Sequence, residues 1–299
     1  MAISRTVIFG QGKGGVGKTT LTTNVGALTA GDGLNVLVVD LDQQGNTARD
    51  LGFEPSDGEA LSRALITGTD LPLLKDVRPN LDVVPGGPAV GDLAGYFSSR
   101  TARGGSDLAD ILESSLGNIA DDYDLIVVDT PPGDRMVVEA ALCVGTAVVI
   151  PTRMDEASID GVTRLAERFV AVSTRNPNLR LAGVVLFAIQ SRVTRLERDV
   201  RAALEATLGQ AAPVFETRIR HLDSAAADAR RQGLLVHELE QAGQAAKAAR
   251  FAALRAGEKP VDGLYATNTR GLAEDYQALT QEINARVAEI EAEILVVAP

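Results

Sequence analysis

An eight-residue string, Gly12-Lys13-Gly14-Gly15-Val16-Gly17-Lys18-Thr19, constrains this chain more than any other stretch of it. It fits G-x-x-x-x-G-K-[ST] and stands between the short apolar run Thr6–Phe9 and the helix-period segment Thr19–Ala30. Such a string makes physical sense as a strand–loop–helix. The glycines let the backbone curl so that successive N–H groups point at phosphate oxygens, where a Cβ would clash. The helix that follows adds the positive end of its dipole. Lys18 is expected to reach the β- and γ-phosphates of a nucleotide, and the Thr19 hydroxyl to ligate Mg²⁺. Residues Gly12 to Thr20 are the expected nucleotide cradle.

The rest of the chain repeats the same alternation. Apolar runs at Val36–Asp40, Leu81–Pro85, Leu125–Asp129, Ala147–Pro151, Leu181–Phe187 and Pro213–Phe215 are nearly pure Val, Ile and Leu. Strands read this way when both faces of their sheet are covered. Between them lie helix-period segments such as Asp107–Ile119, Ser158–Ser173 and Thr194–Leu208. The expected fold is α/β: a doubly wound, mostly parallel sheet of P-loop NTPase type with helices on both faces. From Asp223 to Val297 the pattern is almost wholly helical, broken at Gly257–Gly263, which predicts a C-terminal helical cap. With no Pro/Gly/Ser-rich linker in 299 residues, one domain is expected, with an α/β core over 1–220 and a mostly helical part over 221–299. Aromatics are only 4% and Trp is absent, so the core must be built from Val, Leu, Ile and Ala.

Two further acidic elements follow the loop. Val36-Leu-Val-Val-Asp40-Leu-Asp42 places two carboxylates at i and i+2 on a strand end, pointing the same way. Tyr123-Asp-Leu-Ile-Val-Val-Asp129-Thr-Pro-Pro-Gly133 is an apolar strand ending in aspartate. Its weight comes from falling in order after the other two.

Several function classes drop out. Cys143 is the single cysteine, so an internal disulfide or a Cys-rich metal or iron–sulfur site cannot form within one chain. His221 and His237 are too isolated to suggest a transition-metal site. No run of about 18 apolar residues and no signal-peptide h-region occur, so a cytoplasmic protein is expected. The net charge of −11 is unevenly spread: Arg192 to Arg270 holds 13 Lys and Arg against 10 Asp and Glu.

Lys13 is not required by a generic phosphate loop. Lys13-Gly-Gly-Val-Gly-Lys18-Thr-Thr20 is the deviant Walker A signature, and here the chain resembles the ParA/MinD family of P-loop ATPases. The resemblance spans roughly residues 5–240. It implies ATP and Mg²⁺ as ligands, and a homodimer that sandwiches ATP, with Lys13 reaching the partner's nucleotide. It implies Lys13, Lys18 and Asp42 as catalytic residues, Asp42 orienting or deprotonating the attacking water. Thr19, Asp40 and Asp129 would hold the metal, Asp129 through water. The usual family pattern has proline at position 43; this chain has Gln43, which leaves the carboxylates intact but is expected to loosen the loop. Gln44-Gly45-Asn46, Asp129-Thr-Pro-Pro, Pro151 with Ala157-Ser-Ile-Asp-Gly161, and the stretch Ile219–His237 favour the ParA branch. Gln11-Gly12-Lys13 alone leans toward MinD. The MinD branch ends in a basic amphipathic membrane helix, whereas the end of this chain, from Ala285, carries three glutamates and one arginine. Anionic lipid would repel it, so a packing helix and no membrane partner are expected. The nitrogenase iron-protein relatives need two bridging cysteines per subunit, which Cys143 cannot supply. The phosphate loop begins at residue 12, so no N-terminal helix-turn-helix domain is expected.

The resemblance also implies non-specific double-stranded DNA and a ParB-like adaptor as partners, and nucleoid association. Arg192, Arg195, Arg198 and Arg201 recur every three residues across one helix-period segment, with Arg218 and Arg220 next along the chain. Guanidinium groups suit phosphate contacts, and this set is the expected DNA face. Glu197, Asp199 and Glu205 partly neutralise it. Two rivals stand beside this reading: a positioning ATPase of the same family for a non-DNA cargo, and a nucleotide-dependent binding switch with little turnover. The presence of Lys13, Lys18 and Asp42 argues against the second.

Overall fold

The computed structural model describes residues 2–190, 194–209, 212–257 and 269–297. Among them eight strands form one sheet: β1 (Thr6–Phe9), β2 (Val36–Asp40), β3 (Leu74–Arg78), β4 (Leu81–Val84), β5 (Leu125–Asp129), β6 (Ala147–Thr152), β7 (Arg180–Ile189) and β8 (Ile219–Arg220). Their order is β3-β4-β2-β5-β1-β6-β7-β8. Every neighbouring pair is parallel except β3 with β4.

The near-continuous apolar runs have the reason the sequence suggested. Alternate residues of each strand feed different cores. Ile8, Leu37, Val39, Ile126 and Val128 pack into one, beneath α3 (Glu59–Thr67), α4 (Leu93–Thr101), α5 (Leu108–Gly117), α6 (Arg135–Val144), α7 (Glu156–Val172) and α8 (Thr194–Leu208). Val7, Phe9, Val36, Val38 and Val127 pack into the other, beneath α1 (Lys18–Gly31), α9 (Asp223–Gln232), α10 (Val236–Arg255) and α11 (Arg270–Val297). The short α2 (Asn46–Leu51) contributes Leu51 to the second core.

The helical tail packs on that same face, beside α1 and against β7 and β8. Leu279, Ile283, Val287 and Ile290 of α11 are buried, and Asn284 Nδ2 donates to Thr29 Oγ1 of α1 at 2.9 Å. The acidic C-terminal segment is therefore a packing helix, as its charge suggests. No helix among the described residues is long and apolar enough to cross a membrane. The break expected at 257–263 lies almost entirely outside the described residues.

One strand expectation is corrected, and one strand is added. Pro213–Phe215 forms only an isolated parallel bridge, Val184 to Val214, and the last strand is Ile219–Arg220. Arg201 accounts for this: its Nη1 donates to the Val214 and Phe215 carbonyls at 3.2 and 2.7 Å, so a side chain takes acceptors that a ladder would use. The antiparallel edge strand β3 was not anticipated. Its sequence, Leu-Lys-Asp-Val-Arg, is mostly polar because the strand is exposed or half-buried throughout.

Strand register positions the site. Asp40 of β2 pairs with Asp129 of β5, and Asp129 pairs with Phe9 at the end of β1. The phosphate loop and both acidic elements therefore emerge at one carboxyl edge of the sheet, where open α/β sheets bind ligands.

Candidate nucleotide and metal site

The loop leaves β1 after Phe9 and enters α1 at Lys18. Gly17 caps the helix with φ of 96°, and a Cβ there would stand 2.5 Å from the Phe187 ring. Both the left-handed backbone and the ring require glycine at that position. Lys18 is buried, its Nζ 3.4 Å from the Lys13 carbonyl. Burial pulls its pKa down, while the charges of Asp129 and Asp42 oppose that shift.

Across from Lys18 stand three buried carboxyls. Asp40 is bound on both oxygens: Oδ1 accepts from the Asp42 amide at 2.9 Å, and Oδ2 from the Thr47 hydroxyl at 2.6 Å. Asp42 Oδ1 accepts from the Gln44 amide at 3.0 Å, and the Gly45 amide donates to the Asp42 carbonyl at 3.0 Å. These bonds pin the loop through backbone groups; the Gln43 side chain lies against Gly91 instead. Asp129 Oδ2 accepts from the Thr19 hydroxyl at 2.5 Å. Its other oxygen, Oδ1, is buried without a hydrogen-bond partner among the described residues. An acceptor orphaned in this way is costly unless a ligand fills it.

That orphan tests the metal assignment. Asp129 Oδ1 and the Thr19 hydroxyl form a hard oxygen pair at the mouth of a phosphate loop, which fits Mg²⁺. No group of three or more His, Cys, Asp or Glu able to hold a metal occurs among the described residues, so phosphate oxygens and water would complete the shell. Asp40 does not stand equal to Asp129, because its oxygens are committed to its own loop. Its expected place in the metal shell therefore runs through the position it gives Asp42 and Thr47.

The acids perturb one another. Burial, opposed by its hydrogen bonds, raises the Asp40 pKa to about 6. Burial first, and the Asp40 charge second, push Asp129 well above the usual carboxylate range. Both groups hold protons more tightly folded than unfolded; for Asp40 that stability contribution is present below about pH 4 and lost as pH rises through about 6. A metal must displace those protons. The rise in melting temperature given by Mg²⁺-nucleotide should therefore shrink between about pH 7.5 and about 5.5. Burial lowers the His237 pKa and erodes stability over the same interval. That effect enters melts with and without nucleotide alike and cancels in the difference. A constant or growing increment would show the acids already ionised in the free protein.

Lys13 has other partners than Lys18 and is more exposed. Its Nζ lies 2.5 Å from Asp155 Oδ1 and 3.3 Å from the Ser158 hydroxyl, at the start of α7. Asp155 also caps that helix, accepting from the Ser158 amide at 2.9 Å. Gln11 braces the same corner, its Nε2 donating to the Pro151 and Ser158 carbonyls at 3.2 and 3.1 Å. Gln11 and Ser158 stand in the sequence only within the branch-marking strings, and Asp155 in no motif; nothing in the chain places the three at the loop. Asp155 carries a helix-capping signal, but nothing in the chain pairs it with a lysine 142 positions away.

The expected DNA arginines are divided. Arg195 and Arg198 are exposed on α8. Arg201 is spent on backbone carbonyls, Arg218 pairs with Glu197, and Arg220 pairs with Asp275 at 2.6 Å. Arg192 lies outside the described residues. The structure does not bring these groups together as one uncommitted stripe.

A family model described as an AAA domain matches residues 4–181. The chain is 32% identical over 208 residues to the chromosome partitioning protein ParA of Caulobacter vibrioides, covering 66% of this chain and 76% of that one. It is 33% identical over 184 residues to the sporulation initiation inhibitor protein Soj of Bacillus subtilis, covering 60% and 71%. A solved complex of ATP with a substituted McdA from Cyanothece superposes with a TM-score of 0.73 at 18% identity, over 95% of this chain and 98% of that one, a likeness of fold. With a phosphate loop carrying two lysines, an acidic pair and a third carboxylate on one sheet edge, the chain belongs to the ParA branch of the ParA/MinD family of P-loop ATPases.

Proposed function

We propose that this protein is a Mg²⁺-dependent partition ATPase whose ATP-bound form is a homodimer, which binds double-stranded DNA non-specifically and is discharged by a ParB-like adaptor. The observation that carries the reading is the opposite placement of the two loop lysines. Lys18 is buried beside the acids of its own site, whereas Lys13 lies on the outer side of the loop, held by a half-exposed carboxylate. A lysine so placed is available to a second copy's nucleotide and adds positive charge where phosphoryl transfer develops negative charge. Asp42 orients or deprotonates water, and Thr19 with Asp129 holds the metal. Mg²⁺, when bound, neutralises charge on the transferring phosphate. The name of the Caulobacter relative supports partition as the setting.

ATP turnover should rise when duplex DNA and the cognate adaptor are added together, by more than with either alone. No rise under any partner condition would leave a nucleotide-dependent switch. A second reading, a positioning ATPase with a non-DNA cargo, is favoured by the commitment of Arg201, Arg218 and Arg220 to internal partners. Replacing Arg195 and Arg198 with glutamate separates the two. On the DNA reading, retention on duplex DNA falls most at low salt.

A further inference from the structure

Beside the phosphate loop lies a cavity of about 300 Å³ whose wall includes Gly15, Gly17 and Thr20. Phe187 and Arg153 also line it, and the cavity continues to Asp50, Arg230 and Tyr276. Arg153 follows directly on β6, the strand next to β1. Phe9 is in register with Val149, and Gln11 Nε2 reaches the Pro151 carbonyl, so the end of β6 travels alongside the start of the loop. The side chain of Arg153 is therefore carried to the loop by the sheet itself.

The charges of this cavity are almost all answered. Asp50 faces Arg230 at 3.7 Å, Arg220 is bound to Asp275 at 2.6 Å, and His221 faces Asp223 at 3.0 Å. Arg153 differs. It has no ion pair among the described residues, and its Nε is enclosed with no hydrogen-bond partner among them. A guanidinium carries only donors and keeps its charge, so it cannot relieve enclosure by losing a proton. A half-buried cation beside a loop built for phosphate calls for an anion from outside the chain.

We propose that Arg153 is a further nucleotide-binding residue, its guanidinium donating to a phosphate oxygen of the nucleotide seated on the loop. It would be a second cation on the phosphate chain within one protomer, approaching from the β6 side, while Lys18 approaches from inside the loop. This rests on the reading that the loop holds a nucleotide. The sequence does not announce the role. Arg153 belongs to no phosphate motif, and the 135 positions that separate it from Lys18 are closed only by the pairing of β1 with β6.

The test is equilibrium binding of a fluorescent ADP analogue, with Mg²⁺, to the full chain and to the variants Arg153→Ala and Arg153→Lys. Each protein is also melted without nucleotide. For Arg153→Ala, Kd should rise about tenfold or more, the loss of one charge-assisted hydrogen bond. Arg153→Lys should recover part of that loss, and the salt dependence of binding should flatten in the alanine variant. Its melting temperature without nucleotide should hold or rise, because an unanswered charge is gone. Affinity within twofold of the parent would overturn the proposal. So would a fall in nucleotide-free melting temperature in step with the lost affinity, which would make Arg153 a structural residue. Failure of the unaltered protein to bind the analogue would instead overturn the nucleotide reading itself, and this inference with it.

Discussion

Replacing Lys13 with alanine should leave nucleotide binding and the fold intact and remove partner-stimulated turnover, by on the order of 10³-fold. The fold should survive because the Lys13–Asp155 pair is 32% and 44% exposed on its two sides, and exposed pairs contribute little. Asp155 keeps the Ser158 amide and hydroxyl as donors after the change, so α7 retains its cap. On the proposed reading, turnover fails because the charge that Lys13 supplies to the partner's phosphates is missing. A mixing experiment makes the position of Lys13 decisive. Combine Lys13→Ala protein with Asp42→Ala protein, each inactive alone. In a mixed dimer one of the two sites receives an intact Asp42 from its own protomer and an intact Lys13 from the other. With random pairing, an equimolar mixture should regain about a quarter of the parental rate. If Lys13 serves its own protomer, no site in the mixture is complete and no activity returns.

Asp42→Ala should lower turnover by about 10²- to 10⁴-fold while nucleotide binding and dimerisation persist. The carboxylate is buried beside Asp40 and Asp129, so its removal relieves repulsion in the cluster. Binding of an anionic nucleotide should therefore hold or tighten. The loss of the bond from the Gln44 amide to Asp42 Oδ1 should cost about 1 kcal/mol of stability. Asp42→Asn separates the two effects. It keeps an acceptor for Gln44 and restores stability, but it is no base, so turnover stays low. Turnover by the asparagine variant near the parental rate would remove Asp42 from proton transfer and leave it a role in holding the loop.

Asp40 and Asp129 differ in kind, although the sequence presents them alike, each closing an apolar run. Both are buried. Only the fold shows that Asp40 is consumed by Asp42 and Thr47, whereas Asp129, on a different strand, keeps an oxygen open. Spacing places side chains on a face, but it does not say which of their lone pairs neighbouring loops have already taken. The same holds for the arginines of α8. Their three-residue recurrence is visible in the chain, but the carbonyls that occupy Arg201 arrive from residues 214–216.

The sequence by itself determined the strand–loop–helix at residues 6–31, most of the parallel strands, the two-faced layering and the helical tail. These follow from local causes: glycines where φ turns positive, unbroken apolar runs where both sheet faces are covered, and 3.6-residue periodicity where one is. Tertiary structure alone decided which lysine of the loop is buried, that Asp155 holds the other, and that Arg153 lines the cavity beside the loop. Each of those is a meeting of groups more than a hundred residues apart, or a choice of direction settled by what already fills the space. Their physical origin is the closing of β1 between β5 and β6, a pairing that no local pattern in the chain encodes.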